Sequence, residues 1–394
     1  MSYLPRILDL SSLVQERSLF LFGPRQTGKS SYLRHQLTEI PKKIYNLLDQ
    51  SLLQRLHTNP SHIRQEIEAE NIRDALVVID EVQKCIPLLN EIHLMIEERG
   101  LRFLMTGSSA RTLRKAGVNL LGGRARHRSF HPLLYIELRD TAVGYDLKRA
   151  MNHGLLPFHY LSTDPQEDLR AYVGRYLTEE IAAEGMARNI PTFSRFLQVA
   201  ATANAQLINY SSLASDAQVA RQTVQHYFDI LKETFLGFEL EPFSRTVKRK
   251  SIVTSKFYFF DPGIVRMLRE IPIISENSKD FGDFFEHILF LELQAYIDYR
   301  APGKRLQYWR SKSGFEVDFI FDQQIAIEVK ASKKIQSSDM KGLKALREED
   351  LMTRYIIVCQ EPTLRLVDGI YIYPWQRFLD ELWSGSFQFT NSLS

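Results

Sequence analysis

Apolar residues in the first third of the chain fall in short continuous runs, separated by stretches where they recur every three or four positions. Leu19-Phe20-Leu21-Phe22, Ala75-Leu76-Val77-Val78-Ile79 and Arg102-Phe103-Leu104-Met105-Thr106 are apolar on both faces. Such runs mark central strands of a covered parallel sheet. Lys43 to Leu47 reads as a further strand. Tyr3 to Glu16, Ser31 to Leu37, Leu52 to Ala69 and Pro87 to Arg99 read as helices. This alternation predicts a three-layer α/β unit. From about residue 141 the strand rhythm stops, and Leu169 to Glu184 reads as helix.

Three helical patterns then follow closely: Phe193 to Ala203, one opening at Ser211-Ser212-Leu213-Ala214, and Arg221 to Leu231. In the last, Val224, Tyr227, Phe228 and Leu231 share one face, which leaves Arg221, Gln222, Gln225 and His226 outward. A hairpin from Gly237 to Pro242 and Lys256 to Phe260 encloses Arg245, Lys248, Arg249 and Lys250. The final third holds a mostly apolar helix from Phe281 to Tyr296 and strands Tyr308–Arg310, Phe315–Phe321, Ile325–Lys330 and Tyr355–Cys359. Trp375 to Trp383 closes it as a helix.

Composition changes this picture little. At 394 residues, 44% hydrophobic and 25% charged, the chain has the makings of two to four ordinary globular domains. Cys85 and Cys359 lie far apart, match no metal-ligand spacing and read as buried thiols of a reducing compartment. The first residues lack the layout of a signal peptide, and no run of about eighteen apolar residues occurs, so the expected location is cytoplasmic, away from membranes. A net charge of +3 leaves nucleic-acid binding to be argued from local clusters.

The chemistry begins at Gly23-Pro24-Arg25-Gln26-Thr27-Gly28-Lys29-Ser30, between a strand and a helix. Glycines let backbone N–H groups turn toward an anion, Lys29 can reach a terminal phosphate, and the Ser30 hydroxyl can join a Mg2+ shell. About fifty residues on, an apolar strand closes on Asp80 and Glu81. Asp80 suits a place behind the same Mg2+, and Glu81 suits polarising the attacking water. After the next strand, Thr106 or Ser108 can sense a γ-phosphate, or Ser108 or Ser109 can simply cap a helix. Arg124, in Gly122-Gly123-Arg124, is a candidate for stabilising transferring phosphoryl charge, in cis or from a neighbouring subunit, or is a plain surface arginine.

The set Gly-Pro-Arg-Gln-Thr-Gly-Lys-Ser, Ile-Asp-Glu-Val-Gln, Thr-Gly-Ser-Ser-Ala-Arg, Gly-Arg and Pro132-Leu133 before Glu137 resembles the bacterial and archaeal AAA-type ATPases of the STAND-related group. In that group the ATPase is fused to a C-terminal domain of unknown function. The resemblance implies that Lys29, Ser30, Asp80 and Glu81 play these roles toward ATP or ADP and Mg2+, that a small helical lid follows the core, and that Arg124 occupies the family's Gly-Arg position. The wider AAA+ class often carries Asn at the first sensor, where Ser108 stands here. ATPase sites completed in trans imply a homo-oligomer, with a hexameric ring as the expected form.

The helix-turn-helix pattern with a basic hairpin reads as a winged helix that contacts DNA through Arg221, Gln222, Gln225, Lys248, Arg249 and Lys250, or as a protein-docking module. Further on, alternation puts Glu316 and Asp318 on one side of their strand, and Glu328 and Lys330 share a side of the next. Two hairpin strands can thus gather Asp318, Glu328 and Lys330, with Glu286 projecting from a mostly apolar helix. Two carboxylates can hold Mg2+ and an ammonium can position a water. Glu286 to Lys330 resembles the PD-(D/E)xK nuclease fold, which implies catalytic roles for Glu286, Asp318, Glu328 and Lys330 and a metal on Asp318 and Glu328. No Pro-Asp dipeptide precedes the acid-x-Lys strand here. An inactive nuclease scaffold and ordinary salt-bridged strands are the alternatives.

The expected layout is a P-loop ATPase core over 1–140, a helical lid over 141–185, a winged helix over 186–270 and a nuclease-like α/β domain over 271–394. The expected function is that of an ATP-hydrolysing DNA-binding ATPase with a Mg2+-dependent nuclease-like tail, acting on DNA that is branched or structured. The alternative is a nucleotide-dependent signalling or scaffold switch with an inactive nuclease fold.

Overall fold

The computed structural model of the protein describes residues 3–37, 41–111, 113, 121–177 and 189–386. The helix expected to run to Glu184 therefore lies partly outside the described residues. The chain divides into two compact units, one of residues 1–133, 156–158 and 229–236, the other holding the remainder.

The first unit carries α1 (Leu10–Glu16), β1 (Ser18–Phe22), α2 (Lys29–Gln36), β2 (Pro41–Asn46), α3 (Gln50–Thr58), α4 (His62–Ala69), β3 (Leu76–Asp80), α5 (Leu88–Arg99), β4 (Arg102–Gly107) and β5 (Ala125–Ser129). The five strands form one parallel sheet in the order β2-β3-β4-β1-β5. Every residue of β1 and β3 is buried, as their two-faced apolar runs require. Phe20, Phe22, Val77, Ile79, Phe103 and Met105 form the sheet's share of a core that Leu56, Ile63, Ile67, Leu88, Ile92 and Met95 complete from the helices. The stretch from Leu52 to Ala69 differs from the sequence reading in being two helices, and the strand β5 was not anticipated. Pro60 disfavours helical backbone at Asn59, and Asp49 caps α3 by accepting the Ser51 N–H at 2.8 Å. The lead-in is also shorter than Tyr3 to Glu16, because Asp9 caps a helix that starts at Leu10.

In the second unit, short helices at Leu147–His153 and Pro165–Ala171 precede a π-helical turn at Tyr172–Leu177. Next come α6 (Ile190–Thr202), β6 (Gln206–Leu207), α7 (Tyr210–Ala217), α8 (Arg221–Glu233), β7 (Gly237–Leu240) and β8 (Lys256–Phe259). The strands pair in the order β6-β8-β7, antiparallel throughout. Phe193, Phe196, Tyr227 and Phe228 interlock edge to face between α6 and α8, which is why these helices hold together. The last residues of α8, from Asp229, group with the first unit.

The rest comprises α9 (Phe281–Arg300), β9 (Leu306–Arg310), β10 (Glu316–Phe321), β11 (Ile325–Lys330), α10 (Lys341–Arg347), β12 (Arg354–Cys359), β13 (Arg365–Val367), β14 (Ile370–Pro374) and α11 (Trp375–Ser384). One six-stranded sheet runs β13-β14-β12-β11-β10-β9, antiparallel from β9 to β11 and parallel from β11 through β12 to β14. A Cβ on Gly342 would fall 1.9 Å from the Glu316 carbonyl, so glycine is what lets α10 lie this close to β10. Among the described residues no helix is long and apolar enough to cross a membrane.

Candidate nucleotide-binding site

The loop between β1 and α2 leaves the carboxyl end of a central strand, where open α/β sheets place their ligands. Gly28 takes a left-handed φ of 90° and leads into α2, whose first turn has no side-chain cap. Its N–H groups are thus available to an anion. The other close glycine, Gly23, has no room for a side chain: a Cβ would meet the Phe130 carbonyl at 2.2 Å. Gly23→Ala is expected to destabilise the unit by about 1–3 kcal/mol, measured by urea unfolding, with ATP affinity lowered as well. Beneath the loop, buried Arg6 donates to the carbonyls of Thr27 at 2.8 Å and His131 at 2.6 Å. Thr27 donates to the Pro24 carbonyl, and Arg25 Nε lies 3.2 Å from Ser108 Oγ. Gln26 is exposed, with a φ of 61°.

The Lys29 ammonium turns back on its own loop, donating to the carbonyls of Gly23 and Pro24 at 2.7 and 2.8 Å. Burial pushes its pKa down to about 8, against the pull of Glu81 and Asp80. A triphosphate would supply the negative charge that this buried cation lacks. A sign follows. The protonated form binds the anion, so ATP affinity should fall as pH rises past about 8, by at most about tenfold per pH unit. A pH series of ATP titrations checks it, and an affinity flat to pH 10 would contradict it.

Beside the loop, Ser30 Oγ donates to Asp80 Oδ2 at 2.9 Å, and Thr106 Oγ1 donates to Asp80 Oδ1. A hydroxyl already on a buried carboxylate fits a Mg2+ site, so Ser30 and Asp80 would hold the ion. When bound, Mg2+ neutralises phosphate charge. Glu81 follows in a left-handed conformation, φ 64°, with its N–H 3.3 Å from Thr106 Oγ1. Such a backbone costs on the order of 1–3 kcal/mol in a non-glycine residue and clusters at functional positions. Here it sets the Glu81 carboxylate against Gln83, whose Nε2 donates to Glu81 Oε2 at 2.5 Å and to Ser108 Oγ at 3.2 Å.

The structure thus brings together Gly23, Pro24, Arg25, Thr27, Gly28, Lys29, Ser30, Asp80, Glu81 and Ser108. Gln83 was not among the expected site residues, although it closes the Ile-Asp-Glu-Val-Gln motif that carries the family resemblance. Thr106 positions the two acids. Arg124 does not join them. It precedes β5, which pairs in parallel with β1 from Ser18 onward, so it sits at the amino end of the strands, opposite the loop, and pairs with Glu97. The five residues of β1 separate that end from the loop by roughly 16 Å. A cis role for Arg124 is therefore corrected. Arg111, just past β4, instead holds Glu233, whose carbonyl also accepts the Ala110 N–H.

A second cluster lies wholly in the other unit. Asp318 and Glu328 stand on neighbouring antiparallel strands, and Asp318 Oδ2 accepts the Val329 N–H at 2.8 Å. Lys330 Nζ lies 2.5 Å from Glu328 Oε1, while Glu328 Oε2 is buried with no hydrogen-bond partner. Glu286 points in from α9. The expected residues lie together, with one addition. Lys256 of β8, 3% exposed, reaches between the acids: 3.1 Å from Glu286, 2.7 Å from Glu316 and 3.7 Å from Asp318. Tyr258 also donates to Glu286 at 2.6 Å. An ammonium of the chain thus already sits against Glu286, Glu316 and Asp318, while Glu328 Oε2 keeps no partner. Burial pushes Glu286 up to about 7 despite Lys256, and burial with Asp318 nearby pushes Glu328 well up.

Of the expected DNA-contacting side chains, Arg221, Gln222 and Gln225 are exposed on α8, and Lys250 is exposed in the hairpin. Lys248 and Arg249 are engaged internally. Lys248 Nζ donates to the Glu348 carbonyl, and Arg249 donates to the Ala345 carbonyl at 3.0 Å and to Glu348 Oε2 at 2.7 Å.

Comparison with known proteins gives three family matches along the chain. A family model described as an AAA domain matches residues 15–139, a domain of unknown function (DUF8612) matches 144–273, and another (DUF4143) matches 281–378. Uncharacterized proteins of Mycobacterium tuberculosis and Mycobacterium bovis are each 24% identical over 306 residues, which is 76% of this chain and 66% of theirs. The chain thus spans just under two thirds of those relatives. An uncharacterized protein of Methanocaldococcus jannaschii is 22% identical over 428 residues, covering 92% and 84%. Among solved structures, the Orc1 protein of Aeropyrum pernix in complex with DNA has 13% identity over 65% of this chain and 87% of that one, with a TM-score of 0.25. A Pif1 helicase structure on forked double-stranded DNA has 11% identity over 44% and 55%, with a TM-score of 0.23. Superpositions that poor carry no argument. The AAA-domain match, by contrast, falls on the residues that build the parallel sheet, the phosphate loop and the paired acids, and together these support a P-loop ATPase.

Proposed function

We propose that the protein hydrolyses ATP at the β1–α2 loop and uses the nucleotide state to control an action on DNA. The observation that carries the hydrolytic reading is the hydrogen-bonded line Ser30–Asp80–Thr106–Glu81 at the mouth of a loop holding a buried lysine. In this reading Lys29 and the α2 N-terminus bind the phosphates. Ser30 and Asp80 hold Mg2+, and Glu81, oriented by Gln83, takes the proton of the attacking water. Arg25 and Ser108 sense the γ-phosphate end, and Arg124 acts on the site of a neighbouring copy in a homo-oligomer such as a hexameric ring. Sedimentation of the protein with and without ATP and Mg2+ tests the assembly: a larger species with ATP is expected, and a monomer in both states removes Arg124 from the chemistry.

We read the four-part layout of ATPase core, lid, winged helix and nuclease-like domain onto the observed elements. The order α6-β6-α7-α8-β7-β8 supports a winged helix, and exposed Arg221, Gln222, Gln225 and Lys250 support contact with DNA phosphates. For the tail, the favoured reading is a nuclease-like scaffold whose acids are closed by Lys256. A second reading, DNA cleavage, is favoured by the unpartnered Glu328 Oε2 beside Asp318 and Lys330. Cleavage of branched and linear DNA with Mg2+, by wild type and Lys330→Ala, separates the two. No cleavage by either protein fits the closed scaffold. Cleavage by wild type that drops about a hundredfold in Lys330→Ala establishes the second reading.

A further inference from the structure

The hairpin between β7 and β8 contains a feature that the pattern of charges does not show. Three successive backbone N–H groups point at one carboxylate. Val247 and Lys248 donate to Glu349 Oε2 at 2.8 and 2.9 Å, and Arg249 donates to Oε1 at 2.8 Å. Thr246 Oγ1 closes the loop by donating to the Arg249 carbonyl at 2.7 Å. Converging N–H groups of this kind form a concavity for anions such as phosphate. Glu349 follows α10 and is buried, although burial of a carboxylate is costly without such donors. Burial alone would push its carboxyl up, and the three N–H groups outweigh this and hold it below the usual range.

The surroundings are those of an oxyanion site. The Arg249 guanidinium lies 5.4 Å from the centre of the Phe315 ring, which fixes its plane. Its outer edge is taken by the Glu348 carboxylate, and the Lys248 ammonium by the Glu348 backbone carbonyl. Arg245 and Lys250 flank the loop and are exposed, and Val247 at its tip is 90% exposed. Two consecutive acids of one turn thus satisfy the backbone donors and the Arg249 guanidinium of a basic loop together. A turn lock alone would need only the backbone contacts.

We infer that residues 246–250 form a binding loop for a phosphate group, shut by Glu349 in the phosphate's place and by Glu348 on Arg249. The phosphodiester backbone of DNA is the source of that phosphate, a choice that rests on the DNA reading above. Release of the Glu348–Glu349 turn opens the loop. The closed form offers Arg245 and Lys250 but neither the backbone donors nor Arg249, and binds DNA weakly.

The test compares wild type with Glu349→Ala and with Glu349→Gln, which keeps the shape of the turn where Ala loosens it. Anisotropy of a labelled DNA duplex is read across salt concentrations, and amide hydrogen exchange at 247–249 is read with no ligand, with the duplex and with inorganic phosphate. Both variants should bind the duplex about tenfold more tightly at low salt, with a salt slope steeper by about one to two phosphates. Their exposed amides should regain protection when the duplex is added, and adding Arg249→Ala should remove the gain. Protection by inorganic phosphate but not by DNA keeps the anion loop and overturns DNA as its ligand. Folded variants whose amides are protected by neither ligand, and whose DNA affinity is unchanged, overturn the inference and leave Glu349 as a turn lock.

Discussion

Glu81→Gln should slow ATP hydrolysis by about a hundred- to ten-thousand-fold while ATP binds within a few-fold of wild type. The amide has the shape of the carboxylate but cannot take a proton, so the loss falls on the chemical step. Binding survives because the phosphate contacts come from other groups: the α2 N-terminus, Lys29 and Ser30. Glu81 is well placed for this role and poorly placed for a structural one, since its left-handed backbone is a cost that a packing residue would not carry. Gln83→Ala should show the weaker, related effect of a positioning residue. The Glu81 carboxylate loses the donor 2.5 Å away, and kcat should fall by about tenfold while KM stays near wild type. Steady-state and single-turnover rates on both variants provide the check. Equal loss of binding and turnover in Glu81→Gln would mean that the residue supports the loop instead.

Lys256→Met should destabilise the second unit by about 3–5 kcal/mol, because three carboxylates lose the buried cation that compensates them. The sign of the pH dependence follows from Glu286, whose folded pKa is raised to about 7 from 4.5. A raised carboxylate contributes stability below its unfolded pKa and loses it as pH rises through the folded one. Without Lys256 the folded pKa of Glu286 rises further, so the stability gap between wild type and variant should be widest above pH 7 and narrow toward pH 5. Urea melts at several pH values measure this. A gap that is constant with pH would show that Lys256 acts by packing its methylenes rather than by charge.

The phosphate loop and the two acids were legible because their chemistry is local. Each lies within a few residues of a strand end, and the β1 and β3 runs fixed where those ends would be. The pairing of Asp318 with Glu328 was legible for the same reason, through strand alternation and a short connection. Lys256 was not, since it comes from a strand sixty residues before Asp318 and its charge matters only once β8 lies beside α9 and β10. Lys248 and Arg249 read as outward cations because a run of basic residues says nothing about which acids meet it. Glu348 and Glu349 lie about a hundred residues away. Arg124 looked close to the nucleotide because it is close in sequence to the last core strand, but the parallel pairing of β5 with β1 puts the start of that strand at the end away from the loop. The break between α3 and α4 could have been read from Asn59-Pro60, yet the continuing charge pattern concealed it.

The central claim is that the β1–α2 loop binds ATP through Lys29 and, with Mg2+ on Ser30 and Asp80, presents it to Glu81. Calorimetric titration of ATP with Mg2+ onto wild type and Lys29→Ala tests it most directly. The account predicts one ATP per chain in wild type and an affinity at least about a hundredfold lower in the variant, from loss of a buried charge-assisted contact. Equal affinity in the two proteins, or no ATP bound by wild type, would contradict it.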